Sequence, residues 1–130
     1  MDSGMFLPVQ LAAAKALRLG SKWFTELNNE YAKRRKLAFE ILDFLDCTYS
    51  QSQVGMFVWA KIPPRFLELG SMEFSKLLLK EANVAVSPGI GFGDYGDDYV
   101  RFGLIENEHR TRQAIRNIKA LLRHPERVKI

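Results

Sequence analysis

One cysteine in 130 residues, Cys47, excludes an internal disulfide framework and the usual multi-thiolate metal sites. A lone thiol fits a reducing compartment, so a cytoplasmic protein without a bound metal is expected. Histidine is almost as scarce. His109 and His124 fall at predicted helix ends, with no serine or cysteine set beside them as a nucleophile, which argues against a catalytic triad. No apolar run approaches the roughly 18 residues that a membrane span needs. The opening MDSGMFLPVQLAAAKALRLG starts acidic and lacks the basic stretch of a signal peptide, so neither anchoring nor export is expected. A strong charge bias is missing too. Nineteen Lys and Arg stand against 15 Asp and Glu, a net +4 that permits an anionic partner without demanding one.

What is present describes an ordinary globular chain, 47% hydrophobic and 26% charged. Its length suits one domain able to bury roughly two-thirds of its unfolded surface. Pro8 suits a first helical turn, because its missing N–H would be unpaired there anyway, and Gly20 is placed to close that helix. Ser21 then caps a longer helix to Leu45. Its stripe of Phe24, Leu27, Tyr31, Ala38, Ile41, Leu42 and Leu45 is interrupted by Lys33-Arg34-Arg35-Lys36. GMFVWAKI (55–62) has the content of a buried strand, stopped by Pro63-Pro64. Ser71 caps a third helix ending near Asn83. VAVS (84–87) and YVRFGLI (99–105) read as strands, and Asn107 caps a last helix to Leu122. The order α-α-β-α-β-β-α predicts an α/β fold of α+β-like, two-layer sandwich type, a small three-stranded sheet packed with helices and preceded by two helices. Residues 1–50 form the helical lead and 51–130 the α/β domain. On the last helix Arg112, Arg116, Lys119 and Arg123 form a basic stripe with no interleaved aromatics. That reads as a solvated face, so no nucleic acid is expected.

The stretch SPGIGFGDYGDDYVRFGLIENEHR carries the candidate chemistry. Gly91, Gly93 and Gly96 have the spacing of a dinucleotide-binding turn, but they lead into a strand instead of opening a helix. Asp94, Asp97 and Asp98 would also repel a phosphate. The calcium-loop pattern is absent, so these aspartates read as solvated loop residues and the glycines as a bent connection. Arg101 differs. Alternation puts Val100, Phe102 and Leu104 on the core face and Tyr99, Arg101 and Gly103 on the other. A guanidinium on a rigid strand is a planar, two-pronged receptor for a carboxylate. From alternation alone the plainer account is favoured, a surface arginine paired with a neighbouring acid.

The runs DSGMFLPVQLAAAKAL, YAKRRKLAFEIL, GMFVWAKIP and EFSKLLLKEANVAVSPGIGFGDYGDDYVRFGLIENEHRTRQAIRNIKAL resemble, in order, the C-terminal part of class I aminotransferases. These are pyridoxal-phosphate enzymes of fold type I, and the likeness is to the glutamate–pyruvate (alanine) branch. It spans nearly the whole chain, and the SPGIGFGDYGDDYVRFGLIEN run is far more specific than the three glycines within it.

The resemblance implies that this is the family's small domain and that Arg101 grips the substrate α-carboxylate, which reverses the preference drawn from alternation. It implies that Ser3 and Gly4 line the active site, where composition alone gives a turn ahead of Pro8. Pyridoxal 5'-phosphate is implied for the full-length enzyme. So are amino-acid and 2-oxo-acid substrates, a large domain of the same chain, and a homodimer. The family's Schiff-base lysine sits in an S-K motif followed by G-x-R-x-G. Ser21-Lys22 and Ser75-Lys76 do not continue that way. The expectation is a domain of a longer enzyme with no catalytic residue of its own, inactive alone and without bound cofactor. Methionine, aromatic or diaminopimelate branches, and a standalone carboxylate-binding module, are the alternatives.

Overall fold

The computed structural model describes residues 4–124. These divide into two compact units, the first ending at Glu30 and the second beginning at Tyr31. In the first unit, helix α1 spans Leu7–Leu17, with Pro8 in its opening turn, and buries none of its residues. Gly20 does not close it. Gly20 takes no positive φ, and the last carbonyls of α1 accept from the N–H groups of Arg18 and Leu19, 3.1 Å each. Helix α2 spans Ser21–Leu45. Phe24 and Leu27 of its predicted stripe are exposed, whereas Leu37, Ala38, Ile41, Leu42 and Leu45 are buried in the second unit.

The second unit contains a sheet of three antiparallel strands, β1 (Phe57–Lys61), β2 (Ser87–Pro88) and β3 (Tyr99–Gly103), in the order β1-β3-β2. Val58, Ala60, Val100 and Phe102 point inward, as the two-residue period dictates. They join Phe74 and Leu78 of α3 (Gly70–Ala82), Ile115 and Ile118 of α4 (Glu108–Leu122), and the buried end of α2 in one core. The fold is thus the two-layer α/β arrangement that the element order implies. β1 alternates buried and half-exposed positions, so it is buried on one face only.

Two strand and cap expectations change. VAVS is mostly not a strand, because the N–H of Val84 is spent on the Leu78 carbonyl at 3.1 Å, closing α3 behind left-handed Asn83 (φ 53°). Pairing therefore begins only at Ser87. Ser71 does not cap α3 either. It lies inside the first turn, and the carboxylate of Asp97, 26 residues away in sequence, accepts from its N–H at 2.9 Å and its Oγ–H at 2.8 Å. A distant aspartate thus serves as the local N-cap, and negative charge is favourable there. Asn107 caps α4 as expected, accepting from the Arg110 N–H at 3.0 Å. Within the charged run of α2, Arg34 donates to the carbonyls of Leu104 (3.1 Å) and Ile105 (3.2 Å), and Arg35 to that of Gly55 (3.0 Å).

Candidate functional site

Arg101 sits at the middle of the middle strand, opposite Trp59 of β1 and Ser87 of β2. Hydrogen-bonded neighbours on both sides fix its backbone. Its side chain leaves the sheet on the face away from the core, together with Phe57, Trp59 and Lys61 from β1 and Tyr99 from β3. The guanidinium carbon lies 4.1 Å from the Phe57 ring centroid and 4.4 Å from that of Phe92. Phe57 reaches it diagonally, since its partner across the ladder is Gly103, which contributes no side chain. Phe92 comes from the glycine-rich turn and meets Trp59 edge-to-face, at 5.2 Å and 76°.

Arg101 is half-buried, and its Nε has no hydrogen-bond partner. Among the described residues no carboxylate lies within ion-pair distance of it. The acid-paired arrangement that alternation alone favours is therefore not formed among the described residues. A cation crowded by two rings, with no acid paired to it among the described residues, can accept an incoming anion. Beside it a cavity of about 580 Å³ is lined by Phe57, Ser87, Arg101, Gly103, Glu106 and Arg110, among others.

The aspartates of the turn are not simply solvated. Asp98 pairs with Lys61 at 3.2 Å. Asp97 is held below the usual carboxylate range, first by the Ser71 N–H and then by the Ser71 hydroxyl. The same hydroxyl accepts from the Ile90 N–H at 3.0 Å, so one oxygen ties the turn to the start of α3. The turn folds on itself where Gly89 and Gly96 meet. A Cβ on Gly89 would collide with the carbonyl oxygens of Gly96 and Tyr99. That closure holds Phe92 over the sheet.

Of the other predicted positions, Gly4 is exposed in the first unit with a positive φ of 66°, and nothing lies close to where a Cβ would be. Ser3 lies outside the described residues. Phe57 and Phe92 were not visible as site residues in the sequence. The signal for Phe57 was its parity with Trp59, which needs the β1–β3 register before it points to Arg101. Phe92 had no comparable signal.

A pyridoxal cofactor would need an amine for its aldehyde and a cradle for its phosphate. The cavity beside Arg101 is lined by no lysine among the described residues, and Lys61, on the same sheet face, is engaged with Asp98. The described residues therefore do not by themselves fit the cofactor.

A small sheet that presents an arginine beside two aromatic rings, with no acid partner among the described residues, is an arrangement able to receive an anion. Comparison with known proteins narrows the class. Residues 3–118 match the family described as aminotransferase class I and II, and the chain belongs to that family. It is 48% identical over 122 residues to the glutamate–pyruvate aminotransferase AlaC of Escherichia coli K12, covering 94% of this chain and 30% of the relative. It is 36% identical over 121 residues to the LL-diaminopimelate aminotransferase of Oleidesulfovibrio alaskensis, with 93% and 30% covered. The crystal structure of the aromatic aminotransferase from Pyrococcus horikoshii OT3 superposes with a TM-score of 0.76 at 33% identity, over 92% of this chain and 31% of that one. The chain thus spans about 30% of the length of the curated relatives it matches.

Proposed function

We propose that this chain is the substrate-carboxylate-binding domain of a longer pyridoxal-phosphate-dependent aminotransferase, and that Arg101 receives the α-carboxylate of amino-acid and 2-oxo-acid substrates. The observation that carries the reading is Arg101 itself, held between Phe57 and Phe92 on the central strand without an acid partner among the described residues. Alanine and glutamate, with their 2-oxo acids, are the proposed substrates. The 48% identity to AlaC over nearly the whole chain supports them, and the lower identity to a diaminopimelate enzyme makes that branch the second choice. The amine that holds the cofactor belongs, in this reading, to the rest of a homodimeric cytoplasmic enzyme, and the chain alone does not transaminate.

The work of the chain's own residues is then positional. A fixed guanidinium fork accepts both carboxylate oxygens, orients the reacting carbon and restrains it during proton transfer. A chimera of AlaC carrying this chain in place of the matched segment tests the proposal, assayed with glutamate and pyruvate and with LL-diaminopimelate. The chimera should transfer the amino group from glutamate. Arg101→Lys should lower kcat/KM about ten- to a hundredfold, the loss of one charge-assisted hydrogen bond of the pair. An unchanged kcat/KM in that variant refutes the role given to Arg101. Preference for diaminopimelate refutes the substrate.

A further inference from the structure

We infer that Phe57 and Phe92 make Arg101 selective for planar carboxylates over tetrahedral anions such as phosphonates. This rests on Arg101 receiving carboxylates and goes one step further, to what decides the kind of anion. At 4.1 and 4.4 Å the two ring centroids are in contact with the guanidinium carbon, and no atom fits between the cation and either ring. Phe57 comes from the neighbouring strand and Phe92 from the glycine-rich turn, so two separate segments crowd the one guanidinium. The open approach is then along the edge of the guanidinium plane. Its Nε end is buried, which leaves the terminal amino groups.

A carboxylate lies flat in that plane and accepts two parallel hydrogen bonds. A phosphonate or sulfonate placed the same way sends a third oxygen out of the plane, toward the electron-rich face of a ring. That oxygen is repelled there and loses its water. Charge alone gives the opposite order, because a phosphonate dianion attracts a cation more strongly than a carboxylate does. The rings therefore reverse an electrostatic preference, and this sign makes the inference testable. Phe92 is itself braced by Trp59, and its turn is tied down through Ile90 and Ser71, so the ring is held in place before any ligand arrives. Phe57 and Phe92 are positioning residues. They reach the ligand through the guanidinium.

The test uses the 130-residue chain labelled with ¹⁵N, with the Arg101 side-chain resonances assigned by their loss in Arg101→Lys. Acetate and methylphosphonate are titrated at constant ionic strength and at a pH where methylphosphonate is the dianion. In the unsubstituted chain the guanidinium signals should show restricted rotation and ring-shifted positions. Acetate should bind about tenfold more tightly than methylphosphonate, the factor that one charge-assisted hydrogen bond carries. In Phe57→Leu and Phe92→Leu, whose parent side chains are 37% and 52% exposed, the order should invert, and Phe92→Tyr should restore it. Circular dichroism melts confirm that the variants are folded. If the Leu variants keep the carboxylate preference, or the unsubstituted chain prefers methylphosphonate, the inference is overturned. If acetate leaves the Arg101 signals unmoved in every chain, the carboxylate reading falls first and takes the inference with it.

Discussion

Removing one oxygen atom at the start of α3 should unsettle both the domain and the turn that carries Phe92. Ser71 is fully buried, and its Oγ donates to Asp97 at 2.8 Å while accepting from the Ile90 N–H at 3.0 Å. Ser71→Ala deletes both bonds and leaves the Ile90 N–H without that acceptor. At about 1 kcal/mol net for each intramolecular bond, the loss is about 2 kcal/mol. In a domain of this size such a loss lowers Tm by about 10 °C. Urea unfolding followed by circular dichroism and by Trp59 emission, in a Trp23→Phe background, measures it. A loss below about 0.5 kcal/mol would mean that the stitch is incidental. The pH dependence supplies an internal check. The Asp97 pKa is depressed from 3.8 by the Ser71 N–H and hydroxyl, so the stability it contributes is fully present above that value. It is lost as pH falls through the lower, folded value. The advantage of the parent over Ser71→Ala should therefore shrink on acidification below 3.8. A gap that stays constant from neutral pH into that range refutes the part assigned to Asp97.

Two further outcomes follow from packing and burial. Gly89→Ala places a methyl against the carbonyl oxygens of Gly96 and Tyr99 and should cost about 1–3 kcal/mol, whereas Gly91→Ala, with open space and no positive φ, should cost under about 0.5 kcal/mol; urea midpoints of the two variants decide whether close approach or mere glycine content matters in this turn. Burial, helped by the neighbouring Asp46, pushes the Cys47 thiol up to about 12. At pH 8 it should react with a disulfide reagent only as the domain unfolds, and rapid labelling of the native protein contradicts the buried placement.

Strong local signals in the sequence survived into the structure. Helix α2 begins at Ser21 and ends at Leu45, Asn83 closes α3 and Asn107 caps the start of α4, and the alternation around Arg101 gives the correct face. Each depends on residues within one turn or one strand of each other. What failed to show depends on residues brought together from afar. The cap of α3 comes from Asp97, and no local pattern links it to Ser71. Phe57 and Phe92 meet Arg101 from different segments, and only the register Phe57↔Gly103, Trp59↔Arg101 reveals the first of them. Gly20 departs from expectation for the reverse reason. A glycine after a helix is a common stop, but here α1 has already ended at the turn of Arg18 and Leu19.

Fold and candidate site meet in the glycine-rich turn, where steric necessity and the placement of Phe92 fall on the same few residues. Gly89 and Gly96 let two stretches of backbone touch, Asp97 and Ser71 lock the closed turn to α3, and the ring left standing on top is Phe92. A longer, looser connection could join the same strands, since loop length costs little free energy. It could not hold a phenyl ring 4.4 Å from a guanidinium. The tight turn therefore fixes Phe92 beside Arg101 as well as joining β2 to β3. On this view, Ser71→Ala should also free the rotation of the Arg101 guanidinium in the labelled chain, although the side-chain bonds of Ser71 go to Asp97 and Ile90 and not to Arg101. A guanidinium as restrained as in the parent would separate the turn from the receptor.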